Sequence, residues 1–444
     1  MRCRSRMERI NEAAAVGTGG GIIDVDHLRQ CLSDPAYVGR DLFGAFSAAS
    51  NVDGSIADVN LVTSVLKRAG AKAFWDYATA TPYIDIDMNP AGCSQSSSSL
   101  AAVGDNGRTY EPWEIAKDAV VVSSHKIIGG PGAPGVLIIK KDIMDKINAP
   151  CRSGGGTVFY VTHDHHRFLS NRVERYEGGT PNIIGIWRAG LCFLFKTHVK
   201  DEFRKICASL DATGRENKQQ WDNVYGIGGS SISEPPRTIF EFEIETHRRA
   251  ARYLQQYAPN ICLLGLDNSY TEMVGGDSHH EQYLPILSFL VKCGRRFLHH
   301  NFVCALLNDL FGVQSRGGCQ CAGPYSQHLL GLTTIISHGN GIEKEVSSNA
   351  NERIESALLH HGEKAELLRP GYTRISLPFK GLRGLEVAYV LESIVWVARC
   401  GWRMMGMYRC NHRTGEVRVS FLRLFIFVCF ILSKSLKEAV RQNK

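Results

Sequence analysis

A lysine in the segment DAVVVSSHKIIGGPGAPGVLIIK has the surroundings of a reactive amine. Lys126 follows the apolar, β-branched run Ala119 to Ser124, which predicts a buried strand. The glycines and prolines from Gly129 to Gly135 predict a tight turn, and Val136 to Lys140 predicts a second strand. Burial lowers the pKa of an amine, and a neutral amine can attack a carbonyl carbon. Lys126 is therefore a candidate for Schiff-base chemistry, with a solvated lysine on a hairpin as the alternative.

An aspartate follows an earlier predicted strand. Lys72 to Trp75 is a short apolar run, and Asp76 comes directly after it. Open parallel sheets bind ligands outside the carboxyl ends of their strands, so a carboxylate at this position is a candidate ligand contact. An aspartate that only caps the following turn is the alternative.

Two cysteines lie close together in the segment RGGCQCAGP, Arg316 to Pro324. A thiolate on a loop is a good nucleophile, which makes Cys319 and Cys321 candidates for covalent chemistry. Buried, inert thiols are the alternative. A lone Cys-x-Cys lacks the further ligands of a zinc site, and the histidines 163, 165 and 166 lack helical spacing and added ligands, so no metal site is predicted.

Overall composition narrows the class of protein. The 51 basic and 44 acidic residues are spread along the 444-residue chain without blocks of like charge, so nucleic acid is not predicted as a partner. The 14 cysteines show no Cys-x-x-Cys pair, which excludes a disulfide scaffold and predicts a reducing compartment. We expect a cytoplasmic protein, with a mitochondrial address as the alternative. The apolar run Phe421 to Leu432 is shorter than the roughly 20 residues of a membrane-spanning helix, so no transmembrane span is predicted.

Strands and helices that could position these residues alternate along the chain. A strand from Leu42, a helix capped by Asp58 and the strand before Asp76 predict an α/β sheet. A second, smaller α/β unit is predicted from about Phe240, with a strand in FEFEI (Phe240 to Ile244) followed by a helix from His247 to Tyr257. The glycine run 17–21 predicts a flexible segment, 91–109 a surface insertion and 226–236 a linker.

Together these motifs resemble one family. Ser-Ser-His-Lys followed by Gly-Gly-Pro-Gly, EGGTPN at Glu177 to Asn182, and RGGCQCAGP resemble the class V aminotransferases and cysteine desulfurases, closest to the SufS-type desulfurases. The resemblance covers roughly Leu42 to Val417. It implies the fold type I of pyridoxal phosphate (PLP) enzymes, with a large domain built on a mostly parallel sheet and a smaller α/β C-terminal domain.

The resemblance also implies roles for individual residues. Lys126 would carry the cofactor as a Schiff base, Ser123 and His125 would face its phosphate and ring, and Asp76 would hold its pyridine nitrogen. Thr180 would reach the cofactor phosphate of a neighbouring subunit, which implies a homodimer. Cys321 would be the nucleophile that accepts sulfur from the substrate. Asn51 and Arg374 would bind the α-carboxylate of the substrate.

Two departures from the family pattern bear on these expectations. The family's phosphate-binding turn and ring-stacking histidine are absent ahead of Leu42, so the chain resembles a member that lacks the N-terminal part. Thr79 stands three residues after Asp76, where the desulfurases usually carry glutamine. The expected division is a poorly defined segment 1–41, a partial PLP-binding domain 42–195, a connecting helix and linker 196–236, a small domain 237–419 and an apolar, basic tail 420–444.

The leading hypothesis is a PLP-dependent enzyme that removes sulfur from L-cysteine through a persulfide on Cys321. Its partners would be the small amino-acid substrate, a second copy of the chain and a sulfur-acceptor protein. One alternative keeps PLP but assigns an aminotransferase, epimerase or other lyase reaction. Another is a truncated, catalytically inactive family member.

Overall fold

The computed structural model describes residues 12–15, 18–90, 110–146, 150, 153–211, 236–266, 283–337, 343–347, 349–377 and 384–420. The expected insertion at 91–109, nearly all of the linker at 226–236 and the apolar tail lie outside the described residues.

The described residues form seventeen strands and eleven α-helices. The strands are β1 Glu12–Ala15, β2 Thr18–Ile23, β3 Phe43–Ser47, β4 Lys72–Asp76, β5 Ala119–Ser123, β6 Gly135–Ile139, β7 Val158–Val161, β8 His166–Phe168, β9 Ile261–Leu263, β10 Ile286–Cys293, β11 Arg296–Phe297, β12 Arg316–Gly318, β13 Thr333–Ser337, β14 Glu343–Ser347, β15 Tyr372–Ser376, β16 Tyr408–Cys410 and β17 Val417–Val419. The helices are α1 Val25–Leu32, α2 Val59–Arg68, α3 Pro112–Ile115, α4 Lys141–Lys146, α5 Arg172–Tyr176, α6 Ile183–Asp211, α7 Ile239–Tyr257, α8 His300–Phe311, α9 Gly323–Leu329, α10 Asn349–His361 and α11 Gly384–Cys400.

A mixed four-stranded sheet, in the order β3-β4-β5-β6, carries the N-terminal part of the site. Strands β3, β4 and β5 are parallel, and β6 returns antiparallel to β5. The register sets Asp76, the last residue of β4, beside Val121 of β5. Because parallel strands end at the same edge of a sheet, Asp76 and the turn that follows β5 come to that edge together.

Helix α2 fixes one face of this sheet. Its first turn is capped by Asp58, whose Oδ1 accepts a hydrogen bond from the Leu61 N–H at 2.9 Å, as predicted. Val62 and Leu66 of α2 are buried in one core with Trp75 of β4, and the Trp75 indole N–H donates to Thr63 Oγ1 at 2.9 Å. On the opposite face, three strand residues are exposed in the described part of the chain: Phe43, Val121 and Leu137.

A second sheet, in the order β11-β10-β15-β12, is antiparallel, with β9 also paired to β10. Its core includes Leu287 and Phe289 of β10, Leu306 of α8 and Leu391 of α11. The register places Arg316 of β12 directly opposite Arg374 of β15. This sheet therefore brings two predicted segments, RGGCQCAGP and the strand of Arg374, side by side.

The predicted strand in FEFEI is wrong: Phe240 to Ile244 belongs to helix α7. Its alternating pattern suggested a strand, but Thr238 Oγ1 accepts from the Glu241 N–H at 3.1 Å and caps a helix. Ion pairs from Glu245 to Arg248 and Arg249, three and four residues on, add to that helix.

Two other segments also differ from the sequence-based expectation. Residues 18–21 of the glycine run predicted to be flexible belong to strand β2, which pairs with β1. Helix α6 is continuous from Ile183 to Asp211, across residue 195 where the expected PLP-binding domain ends. None of the helices in the described part of the chain is long and apolar enough to cross a bilayer.

Candidate active site

The turn that carries Lys126 is held by backbone hydrogen bonds and by a glycine. Residues Ser124–Lys126 form a 3₁₀ turn directly after β5. The Gly130 N–H donates to the Ile127 carbonyl at 2.8 Å, folding the next residues back on this turn. A Cβ on Gly130 would lie 2.2 Å from the Ser124 carbonyl oxygen. Only glycine fits there, so the glycine-rich sequence has a direct role in shaping the lysine turn.

The side chains beside Lys126 differ in burial. Ser124 is fully buried, and its hydroxyl has no hydrogen-bond partner among the residues that the structure describes. Ser123 is half-buried, whereas His125 is exposed. A buried hydroxyl without a partner is unusual in a folded protein. A polar ligand bound at this turn could supply the missing hydrogen bond to the Ser124 hydroxyl.

The amine of Lys126 has a pKa below its ordinary value. The main cause is desolvation by the surrounding protein, even though part of the side chain is exposed. The carboxylate of Asp76 acts in the opposite direction, and the guanidinium of Arg374 lowers the pKa further. The amine is thus easier to deprotonate than a surface lysine, which is the condition for attack on a carbonyl.

Asp76 lies at the end of β4 in the position that the sequence predicted. Its Oδ1 accepts a hydrogen bond from the Ala78 N–H at 2.7 Å, so it does cap the following turn. Its side chain is nevertheless exposed, and its charge acts on Lys126. The capping role and a role toward a ligand are therefore compatible.

Asn51 joins the two sheets at the site. Its side-chain Nδ2 donates to the backbone carbonyl of Gln320 at 2.6 Å, and its backbone carbonyl accepts from Arg374 Nη1 at 2.6 Å. Arg374 lies in β15, and burial is the main cause that lowers its pKa, followed by the charge of Arg316. Residues that are more than 260 positions apart in the sequence thus meet around Asn51.

The structure distinguishes the two cysteines of RGGCQCAGP. Cys321 is exposed, and Arg316 Nη2 donates to its Sγ at 3.7 Å. Cys319 is half-buried, and its thiol donates to the Pro370 carbonyl at 2.7 Å. Burial raises the pKa of the Cys319 thiol. Of the two cysteines, Cys321 is the one that contributes to the pKa shift of the Lys126 amine, which makes it the better candidate for chemistry at that amine.

Thr180 is exposed in the segment that leads into α6. Helix α6 packs against the lysine loop: Asn182 Nδ2 donates to the Gly132 carbonyl at 3.2 Å, and Arg188 donates to the Pro131 carbonyl. The proposed reach of Thr180 into another subunit stays a prediction. Within the described ranges, no group of three or more His, Cys, Asp or Glu could hold a metal ion.

The sequence did not single out three residues that the site contains. Arg316 contacts Cys321, the backbone carbonyl of Gln320 accepts the hydrogen bond from Asn51, and Tyr83 is near enough to Arg374 that an ionised phenol would raise the pKa of this arginine. The arginine of RGGCQCAGP was visible as part of a motif, but its contact depends on the register of β12 with β15. Tyr83 carries no sequence signal that separates it from other tyrosines.

Comparison with known proteins shows which family part of this chain resembles. The family model of the class V aminotransferases matches residues 110–265, a range that includes Ser123, His125, Lys126 and Thr180. This matched part of the chain is similar to the class V aminotransferase family. The matched part of the family model ends before Arg316, Cys321 and Arg374, so the family match does not bear on those residues.

Several family relatives are cysteine desulfurases. The chain is 24% identical over 237 residues to the probable cysteine desulfurase of Borreliella burgdorferi, covering 51% of this chain and 49% of the relative. It is 26% identical over 209 residues to the histidine decarboxylase of Morganella morganii, covering 46% of each protein. The chain thus spans about half the length, or less, of the curated relatives it matches.

A solved structure supports the fold. The apo cysteine desulfurase of Thermococcus onnurineus NA1 superposes with a TM-score of 0.50 at 18% identity, over 88% of this chain and 66% of that one. The predicted α/β fold of PLP-dependent enzymes is confirmed, and the class V family is PLP-dependent.

The residues present fit PLP. Lys126, with its lowered pKa, would offer its amine to the aldehyde, and Asp76 would offer a carboxylate to the ring nitrogen. The Ser124 hydroxyl, which has no hydrogen-bond partner among the described residues, lies in the same turn as Lys126. These donors and charges match the groups of the cofactor.

Proposed function

We propose that the chain is a PLP-dependent enzyme of the cysteine desulfurase type, which transfers the sulfur of L-cysteine to Cys321. The observation that carries the proposal is the meeting of Lys126, Asp76, Arg374 and Cys321, because the charges of the last three all act on the Lys126 amine. An amine, a carboxylate, a guanidinium and a thiol are the groups that this reaction needs.

Each residue has a task that follows from its chemistry. Lys126 would hold the cofactor and then move the proton between the substrate Cα and its surroundings, which its lowered pKa favours. Asp76 would keep a proton on the ring nitrogen. Ser123 and His125, which precede the lysine, would bind the phosphate and face the ring. PLP, when bound, supplies an electron-accepting ring that labilises bonds at the substrate Cα.

Substrate binding falls to residues of both sheets. The planar guanidinium of Arg374 suits the α-carboxylate, and its bond to the Asn51 carbonyl holds it in the site. The Asn51 side chain, bonded to Gln320, links this carboxylate site to the Cys321 loop. Binding and sulfur transfer would therefore depend on the same contact between the sheets.

The sulfur transfer needs no external oxidant. The Cys321 thiolate attacks the substrate sulfur, an S–S bond forms as the substrate Cβ–S bond breaks, and the electron pair stays with the amino-acid fragment. That fragment takes up protons and leaves as alanine, while Cys321 keeps a persulfide. Because Cys321 is exposed, a sulfur-acceptor protein could reach it.

A homodimer is part of the proposal. The face of α6 next to Thr180 exposes large apolar side chains, with Ile184 at 71%, Trp187 at 72% and Leu194 at 69% exposure. Apolar surface of this size is typical of protein contacts. A second copy packed there would bring Thr180 toward a neighbouring site.

A second candidate is a PLP reaction that does not use a thiol, and the histidine decarboxylase relative favours keeping it. The test is alanine formation from L-cysteine by the PLP-loaded chain, compared between Cys321→Ser and the matched control Cys319→Ser. We expect Cys321→Ser to lose alanine formation and Cys319→Ser to keep it, because the Cys319 thiol is bound to Pro370. Equal alanine formation in both variants would exclude Cys321 as the sulfur acceptor. A PLP-loaded chain that forms no alanine from L-cysteine would exclude the desulfurase reaction in favour of the second candidate.

A further inference from the structure

A buried carboxylate lies two residues after Asn51. Asp53 is 1% exposed, and both of its carboxylate oxygens accept hydrogen bonds. Its Oδ1 accepts from the Ser55 N–H at 3.1 Å and from the Ser55 hydroxyl at 2.9 Å. Its Oδ2 accepts from the Tyr325 hydroxyl. Three hydrogen bonds thus satisfy a carboxylate whose burial would otherwise be costly.

A glycine from another part of the chain makes room for this carboxylate. Gly265 has a φ of 73°, in the left-handed region, and a Cβ built on it would lie 2.4 Å from both Cβ and Oδ2 of Asp53. A larger residue at position 265 would therefore displace the Asp53 side chain. The space around the carboxylate depends on a glycine, as the turn of Lys126 does.

The tyrosine bonded to Asp53 belongs to the helix that follows the Cys321 loop. Helix α9 begins at Gly323, so Tyr325 lies in its first turn, four residues after Cys321. The ring of Tyr325 packs on a small buried core formed by Val52, Leu264 and Tyr372. Its hydroxyl reaches Asp53 across 272 positions of the sequence. The hydrogen bond therefore joins α9 to the loop that carries Asn51.

The first turn of α9 also holds the Cys321 loop directly. Ser326, the residue after Tyr325, donates from its Oγ to the Cys319 carbonyl at 3.0 Å. On the other side, Asn51 Nδ2 donates to the Gln320 backbone carbonyl at 2.6 Å. The loop is therefore fixed between α9 and the loop of Asn51, and the hydrogen bond of Asp53 with Tyr325 sets the distance between these two supports.

The Cys321 loop needs such support because its backbone is strained. The φ angles of Gln320 and Cys321 are 57° and 66°, in the left-handed region that residues with a Cβ rarely adopt. A strained backbone persists only where the surrounding structure holds it. If α9 moved away from the loop of Asn51, these two residues would relax, and the Cys321 side chain would point in another direction.

We propose that Asp53 and Tyr325 are positioning residues, whose hydrogen bond holds α9 against the loop of Asn51 and so keeps the Cys321 loop in its left-handed conformation. The inference rests on the proposed function in one respect, because the task of the loop is to present Cys321 to a substrate bound at Arg374. Asp53 is buried and acts through Tyr325 and α9. Its loss therefore slows the sulfur-transfer step rather than the binding of L-cysteine.

The test uses the full chain with Tyr325→Phe, which keeps the ring on its core and removes only the hydroxyl. Tyr389→Phe is the matched control, because the Tyr389 hydroxyl donates to the Phe311 carbonyl at 2.9 Å, at the end of α8. Hydrogen–deuterium exchange of the chain without cofactor is followed by mass spectrometry in the peptide that covers residues 319–330. Strand β10 serves as the reference within each sample.

We expect Tyr325→Phe to exchange about tenfold faster in residues 319–330 with β10 unchanged, because loss of a hydrogen bond to a carboxylate favours local opening. With PLP and L-cysteine, kcat for alanine formation should fall about tenfold while KM changes less than about twofold, because Arg374 keeps its bond to the Asn51 carbonyl. Tyr389→Phe should change none of these. Unchanged exchange in residues 319–330, or faster exchange without a fall in kcat, would overturn the proposal.

Asp53→Ala removes the same hydrogen bond from the other side. Its loop exchange should rise as in Tyr325→Phe, and the double variant should exchange no faster than Asp53→Ala alone, because both changes break one contact. Accelerations that multiply in the double variant would overturn the proposal. If one of the single variants does not fold by circular dichroism, the other one decides alone.

The outcomes for the two proposals are distinct. A chain that binds no PLP, but in which Tyr325→Phe speeds exchange of residues 319–330, would remove the proposed function and leave the contact that holds the loop. A chain that forms alanine from L-cysteine, with loop exchange and kcat independent of Tyr325 and Asp53, would remove only the inference about these two residues.

Discussion

Substitution of Gly130 by alanine should disrupt the lysine turn without touching any ionisable group. The added Cβ would lie 2.2 Å from the Ser124 carbonyl oxygen, 2.8 Å from the Ile127 carbonyl oxygen and 3.1 Å from the His125 Cα. All three are backbone atoms, so the clash cannot be relieved by rotating a side chain. The turn itself must move, and Lys126 with it.

The size of the effect follows from that geometry. Overpacking of this kind costs about 1 to 3 kcal/mol of unfolding free energy. We expect a loss in that range by urea denaturation, together with at least a tenfold weaker PLP affinity in an absorbance titration, since about 1.4 kcal/mol corresponds to a factor of ten. The PLP affinity falls because the Lys126 amine is displaced relative to Asp76 and Ser124.

Gly155→Ala is the matched control, because a Cβ at Gly155 meets no atom within 4 Å. It should keep both the unfolding free energy and the PLP affinity of the unchanged chain. The reasoning is refuted if Gly130→Ala binds PLP as tightly as Gly155→Ala does.

Two further predictions concern pH. Desolvation lowers the pKa of Lys126, so the rate at which the apo chain captures PLP should rise with pH and reach half its maximum below 10.5, the ordinary pKa of lysine. The measurement is stopped-flow absorbance, and a midpoint at or above 10.5 would contradict the lowered pKa of Lys126. Burial lowers the pKa of His247 to about 4, and the neutral ring bonds the Ile286 carbonyl at 3.2 Å. The unfolded chain binds this proton at about 6.5 and the folded chain only near 4, so unfolding free energy should fall as pH drops between those values, by up to about 3 kcal/mol. His247→Gln should fall less over the same range in urea denaturation, and an equal fall in both chains would contradict it.

The chemistry-bearing strands could be predicted from sequence because their signals are local. The β-branched run before Lys126 and the aspartate after β4 each depend on a few neighbouring residues, and both lie where expected. The same local approach failed at FEFEI, where alternation of Phe and Glu indicated a strand. The Thr238 cap and the Glu245 ion pairs, which favour a helix, outweighed that alternation.

The part of the site that sequence could not provide depends on pairing between distant segments. The hydrogen bonds of Asn51 to Gln320 and Arg374 cross 269 and 323 positions. The contact of Arg316 with Cys321 follows from the β12–β15 register and from a left-handed loop that no residue type at Gln320 or Cys321 announces. Family resemblance supplied Asn51, Arg374 and Cys321, but it gave no reason to single out Arg316.

The central claim is that the Lys126 amine condenses with PLP in this chain. The most direct measurement is to incubate the chain with PLP, reduce it with borohydride and locate the cofactor by peptide mass spectrometry, with Lys126→Ala and Lys141→Ala compared under the same conditions. The account predicts visible absorbance and a reduced PLP adduct on Lys126 in the unchanged chain and in Lys141→Ala, and neither in Lys126→Ala. A colourless chain, or an adduct that persists in Lys126→Ala at the same level, would contradict it.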